Sequence, residues 1–194
     1  DYSVWYKPYG MLSQGSKWSD HCTITRWAQK NLTPERAVFP VHRLDRAATG
    51  LILVAHSKKA ARALSQMFEQ HKLEKTYHII VHGNQQQRPQ PETVTLAIEG
   101  KPACSHFSHI AYDDKRDLSL VKVNIESGRK HQIRIHAASI GLPVVGDRLH
   151  GAQQSLADLQ LCAVALHFTC PIHQVEQHFA LSDAMRPQLS NLTQ

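Results

Sequence analysis

The segment His42-Arg43-Leu44-Asp45-Arg46 sets one carboxylate between two guanidiniums, then runs through Ala47-Ala48-Thr49-Gly50 into an apolar stretch. Flanking cations favour the ionised form of a carboxylate, which suits a nucleophile or a charge stabiliser and not a general acid. No second acid stands close by in sequence, so the paired carboxylates of a glycosidase have no visible counterpart. On this segment alone, a structural ion pair is the more economical role for Asp45. A second basic cluster changes that balance. Ser127-Gly128-Arg129-Lys130-His131-Gln132-Ile133-Arg134-Ile135-His136 carries five cationic or potentially cationic side chains. The pattern predicts that this segment opens a helix, where cations oppose the N-terminal dipole but suit phosphate. An arrangement unfavourable for stability is more credible as a functional one.

The elements that must position these groups read as mixed α and β. Ser57 is a good N-cap, and Ala60, Ala61, Leu64, Met67 and Phe68 follow at helical spacing, which predicts a helix near 58–71. Leu51–Ala55 before it and Thr76–His82 after it have the character of β-strands. Val121, Val123 and Ile125 alternate with polar residues, which predicts a half-buried strand. Residues 130–140 read as helix, stopped by Gly141 with Pro143 behind it. Asn84–Pro91 (NQQQRPQP) is the most loop-like segment and joins two strands or halves. Strands that do not alternate regularly with helices favour an α+β sheet over a doubly wound parallel one.

Composition narrows the function classes. The 194 residues are 42% hydrophobic and 20% charged, a globular balance. No apolar run approaches the roughly 20 residues of a membrane span. The four cysteines include no Cys-x-x-Cys pair, which fits reduced thiols in a cytoplasmic protein. Lysine and arginine exceed the acids by six, and the whole excess falls in residues 1–75, which hold 12 basic and 6 acidic side chains. A localised basic surface suits a polyanion such as nucleic acid. The 14 histidines invite a metal reading, but His131 and His136 are separated by about 140° around a helix. His167, Cys170 and His173 recur at three-residue steps, yet Pro171 interrupts their alignment. No metal is expected. No Walker loop, Gly-x-Gly-x-x-Gly fingerprint or Gly-x-Ser-x-Gly elbow occurs, so nothing asks for a nucleotide cofactor.

Taken together, three segments resemble the RluA-type pseudouridine synthases: Lys7-Pro8-Tyr9-Gly10, His42–Gly50 (HRLDRAATG), and Gly128–His136 (GRKHQIRIH) with Pro143–Gly151 (PVVGDRLHG) following. The stretch Phe68–Gly83 (FEQHKLEKTYHIIVHG) is similar to the family's as well, so the likeness is scattered over about residues 7–151. The resemblance implies an α+β fold with a mixed, mostly antiparallel sheet, flanking helices and an RNA cleft across the middle. It implies Asp45 as catalytic nucleophile, Arg43 entering the RNA stack where the target base leaves, Tyr77 lying against the flipped uracil, and Arg134 pairing with the aspartate. It implies no metal and no organic cofactor. The expected partner is RNA, a structured stem-loop of ribosomal or transfer RNA, with no membrane and a monomeric, cytoplasmic enzyme. The alternative is a catalytically idle RNA-binding or RNA-folding protein on the same fold.

Residues 1–194 are expected to form one catalytic domain without an S4 module, its leading strand trimmed or short by a few residues. Near the C-terminus the chain departs from the family, with Leu161-Cys162-Ala163 where Leu-His-Ala is usual and Cys170-Pro171 where His-Pro is usual. Ser127 stands in place of the common threonine.

Overall fold

The computed structural model describes residues 1–15, 22–151 and 157–192. In chain order the elements are β1 (Tyr2–Lys7), α1 (Ile24–Asn31), β2 (Phe39–Pro40), β3 (Thr49–Ala55), α2 (Lys58–Glu69), β4 (Glu74–His82), β5 (Glu92–Val94), β6 (Ser105–Asp113), β7 (Leu118–Ile125), α3 (Gln132–Ser139), β8 (Leu161–Thr169) and β9 (Glu176–Ala180). The chain folds into two compact units. The first holds Asp1–Glu74 with Ala165–Leu181, and the second Lys75–Val164 with Ser182–Gln194.

In the first unit β1 runs antiparallel to β3, from Tyr2 against Ala55 to Lys7 against Gly50. The short β2 pairs with the end of β3, and residues 165–169 of β8 pair antiparallel with β9. Every residue of β3 from Gly50 onward is buried, as its apolar run demands of a strand covered on both faces. Helix α2 follows at once. Ser57 accepts a hydrogen bond from the Ala60 N–H, and Ala60, Leu64 and Met67 form the buried stripe. Helix α1 starts in the same way, with Thr23 capping the Arg26 N–H and Ile24 and Ala28 buried.

In the second unit β4, β7, β6 and β5 lie side by side, each antiparallel to its neighbour. β4 and β7 alternate as half-buried strands should, and Ile80, Leu118 and Val145 form a core cluster with Leu120, Leu189 and Leu192 packed on it. The Arg116 guanidinium fastens the chain's end by donating to the carbonyls of Leu189 and Leu192. The α+β fold and the expected elements are all present, and the Asn84–Pro91 segment is the connection between β4 and β5.

One boundary differs. Helix α3 begins at Gln132, after His131 in the left-handed conformation (φ 55°), so Arg129 and Lys130 precede the helix and do not line its first turn.

Candidate active site

Asp45 lies on the loop between β2 and β3, half-buried, with exposed Arg43 and Arg46 on either side. A short loop rich in charge has no fixed geometry of its own, so something must hold it. On one side the Ser13 hydroxyl accepts from the Leu44 N–H at 2.9 Å and donates to the Leu44 carbonyl at 2.7 Å, all buried. On the other side Lys7 is fully buried at the end of β1, and its ammonium donates to the carbonyls of Met11 (2.8 Å), Arg46 (3.1 Å) and Pro8 (3.2 Å). Three N–H bonds thus meet three carbonyls, which is how a buried ammonium is made tolerable. The Gly10 N–H adds a bond to the Arg46 carbonyl at 3.0 Å, and the Arg46 side chain returns one to the Gly10 carbonyl at 3.1 Å. Gly10 makes that approach at φ 78°, a conformation glycine adopts without a Cβ penalty. Burial pulls the Lys7 ammonium down from its ordinary 10.5 to about 8, against the upward pull of the Asp45 carboxylate. His42 completes the frame: its Nε2 accepts the Leu53 N–H at 2.9 Å, and its ring stacks on Phe68 with centroids 4.3 Å apart.

The second unit holds Tyr77 and Arg134. Tyr77 is a buried residue of β4 opposite Val123 on β7. Arg134 is only 5% exposed and donates two bonds to Asp147, Nε to Oδ2 at 3.0 Å and Nη2 to Oδ1 at 2.5 Å. This is the bidentate fork that an arginine makes and a lysine cannot. Asp147, 2% exposed, also accepts the backbone N–H groups of Leu149 and His150. Burial pushes its carboxyl up, but the Arg134 and backbone bonds outweigh that and hold it below the usual carboxylate range. Gly146 before it has φ 80°, and a Cβ there would lie 2.3 Å from the Asp158 carbonyl oxygen, so only glycine lets the turn present Asp147.

The polar residues around Arg134 face inward too. The Gln132 amide donates to the Cys104 carbonyl and to Ser105 Oγ, while its oxygen accepts from Ser127 Oγ and the Arg129 N–H. His136 is fully buried, its Nε2 donating to the Leu96 carbonyl at 2.8 Å, which leaves Nδ1 to accept from Ser105 Oγ at 2.9 Å. The second basic cluster is therefore largely internal: Arg134 and His136 are bonded within the protein, whereas Lys130 is exposed. Of the four residues singled out from the sequence, Arg43 and Asp45 share the loop of the first unit, and Tyr77 and Arg134 belong to the second. Lys7, Ser13 and Asp147 were not among them. Their partners are backbone groups or lie across a turn, and neither leaves a trace in local spacing.

Residues 1–139 match the family model described as RNA pseudouridylate synthase, and the chain belongs to that family. Among curated relatives it is 36% identical to tRNA pseudouridine synthase C of Yersinia pestis, over 69% of this chain and 58% of that protein. It is 33% identical to tRNA pseudouridine synthase C of Haemophilus ducreyi, over 85% of this chain and 80% of that one. The chain spans about half the length of some of these relatives, 52% for an uncharacterized RNA pseudouridine synthase of Bacillus subtilis. The solved structure of human RNA pseudouridylate synthase domain containing 1 superimposes with a TM-score of 0.79 at 21% identity, covering 96% of this chain and 82% of the human one, and shows the shared fold.

Proposed function

We propose that this chain isomerises a uridine to pseudouridine within a structured stem-loop of transfer or ribosomal RNA. The observation that carries the reading is the Asp45 loop: a reachable carboxylate whose flanking backbone is clamped by Lys7, Ser13 and Gly10, in a chain of the pseudouridylate synthase family. In the reaction the N1–C1′ bond breaks and the detached uracil turns. A C5–C1′ bond then forms, the C5 hydrogen leaves as a proton and N1 takes one up. Atoms and electrons balance without an oxidant or reductant. Asp45 supplies the nucleophile, at the sugar or at the ring, and the bond its oxygen forms there breaks again before the product leaves, which regenerates the carboxylate.

A base in a stem-loop must first be extruded, at a cost of a few kcal/mol. Arg43, exposed next to Asp45, is suited to fill the vacated place with its guanidinium plane. Tyr77 offers an aromatic platform, and stacking on it contributes about 1–3 kcal/mol. Arg134 is the cation that serves the nucleophilic carboxylate, with Asp147 fixing its plane. Among the described residues no helix is long and apolar enough to cross a membrane. The proposal takes the enzyme to work as a monomer on cytoplasmic RNA. The names of the Yersinia and Haemophilus relatives favour transfer RNA as the first substrate to try.

The test is tritium release from transfer and ribosomal transcripts labelled at uridine C5, followed by mapping of the modified position. Release approaching one equivalent per RNA from a single uridine supports the reading. Tight RNA binding with no release would replace it by an idle RNA-binding protein.

A further inference from the structure

A second cluster lies in the second unit and takes no part in the site above. Cys104 immediately precedes β6 and His106 is the second residue of that strand, so the two-residue period puts both side chains on one face. The register pairs Ser105 with Ile125 and His106 with Asn124, which brings Glu126, just past β7, opposite Cys104. The Glu126 N–H donates to the Cys104 carbonyl at 3.1 Å. Cys104 Sγ, a His106 ring nitrogen and a Glu126 carboxylate oxygen all lie within 4.8 Å of one another. Sγ is 3.5 Å from His106 Nε2, and Nε2 is 2.7 Å from Glu126 Oε1. Thr93, opposite His106 on β5, places its hydroxyl 3.0 Å from Nδ1.

We propose that Cys104, His106 and Glu126 form a zinc site, with three protein ligands and water in the fourth position. The donor set is sulfur, imidazole nitrogen and carboxylate oxygen, which suits zinc and not magnesium or calcium. Tetrahedral zinc at ordinary bond lengths separates S from N by about 3.5 Å and N from O by about 3.3 Å. The first separation is already present, and the second needs the exposed Glu126 carboxylate to withdraw by about half an ångström. The Thr93 hydroxyl is the outer partner that a ligating histidine ordinarily has, and it sets the ring's orientation.

Without metal, the 2.7 Å contact requires a proton on Nε2, and Nδ1 then accepts from Thr93. When zinc takes Nε2, the ring proton transfers to Nδ1 and is donated to Thr93 Oγ1. A cysteine binds zinc as the thiolate, so the Cys104 thiol proton is released to solvent, one per zinc. The Cys104 carbonyl also accepts from Gln132 and the Pro102 carbonyl from Arg129 Nε. Zinc would therefore fasten together the two strand ends that carry the Arg129–Gln132 segment.

The experiment strips the whole chain with a chelator and titrates it with zinc against a chromogenic competitor, then with cobalt. The expected result is one equivalent of zinc, one proton released, and a thiolate-to-cobalt charge-transfer band. Cys104→Ser should remove the band and weaken zinc binding at least 100-fold, whereas Cys22→Ser should leave both unchanged. If Cys104→Ser fails to fold, Glu126→Gln at an exposed position carries the same test, with binding weakened at least tenfold. No tight zinc in the wild-type chain, or binding unaltered in both cluster variants, would overturn the site.

Discussion

The loop that carries Asp45 and the pair made by Arg134 and Asp147 solve opposite problems of holding a charge. At Asp45 the side chain stays half-exposed, and the protein fixes the backbone around it through a buried lysine and a buried serine. At Arg134 the guanidinium is itself buried and fixed, by a carboxylate with further backbone bonds. If Asp45 is to meet a substrate, as proposed, a loop tied through its main chain holds it in place while the side chain stays half-exposed. A cation that only has to point in one direction can be locked at its head. The first arrangement fixes a position through the main chain, and the second makes the fold depend on the pair.

That dependence gives the largest expected effect. Asp147→Asn removes the counter-charge of a buried guanidinium, which costs about 3–5 kcal/mol. Urea unfolding checks it, and a wild-type midpoint would mean that Asp147 is dispensable to Arg134.

The next effect sharpens the contrast from the Asp45 side. Lys7 titrates near 8 in the folded chain and near 10.5 unfolded, so the native state binds fewer protons than the unfolded one between those values. The burial penalty is fully present below pH 8 and is relieved as the pH rises, by at most about 3 kcal/mol across the window. Burial also lowers Lys75, with the same sign. Stability should therefore climb from pH 8 to 10, less steeply above 9, where the Cys104 thiol, raised by burial first and then by Glu126, opposes it. The Tyr2 hydroxyl, raised to about 12 by burial first and then by Cys170, opposes it further above 10. Lys7→Met should flatten most of that climb. Denaturant midpoints at pH 8, 9 and 10 would show it, and a flat wild-type curve would mean the ammonium is not held as described.

The smallest stability effect belongs to Ser13. Ser13→Ala leaves the buried N–H and carbonyl of Leu44 without their partner, a loss of about 2 kcal/mol. If the serine positions the nucleophile, turnover at a temperature where the variant is folded should fall at least tenfold. An unchanged rate in folded protein would reduce Ser13 to a packing role.

Much of this was legible in the sequence, for reasons that differ by residue. Helix α2 was readable because Ser57 and its buried stripe are local, and α3 because Gly141 ends it. Asp45 was readable because its flanking residues belong to a distinctive segment. Lys7 opens one of the family-like segments, but its clamping role was not readable, since its three acceptors are main-chain carbonyls that any residue carries. Asp147 lies in the family-like Pro143–Gly151 segment, but its pairing was not readable, because its partner is 13 positions away and joined only by tertiary structure. The inward face of α3 was missed because Gln132, Arg134 and His136 are polar, and burial by hydrogen bonding gives no hydrophobic period. The Cys104, His106 and Glu126 cluster needed the β6–β7 register before its third member could be seen.

Asp45→Asn tests the central claim most directly, because it is nearly isosteric and removes only the charge. Thermal unfolding, RNA binding and tritium release from RNA labelled at uridine C5 are measured on the same protein. The expected result is a melting temperature within a few degrees of wild type, RNA binding retained or tightened, and no tritium released. A folded, RNA-binding Asp45→Asn protein that releases tritium at the wild-type rate would contradict Asp45 as the nucleophile.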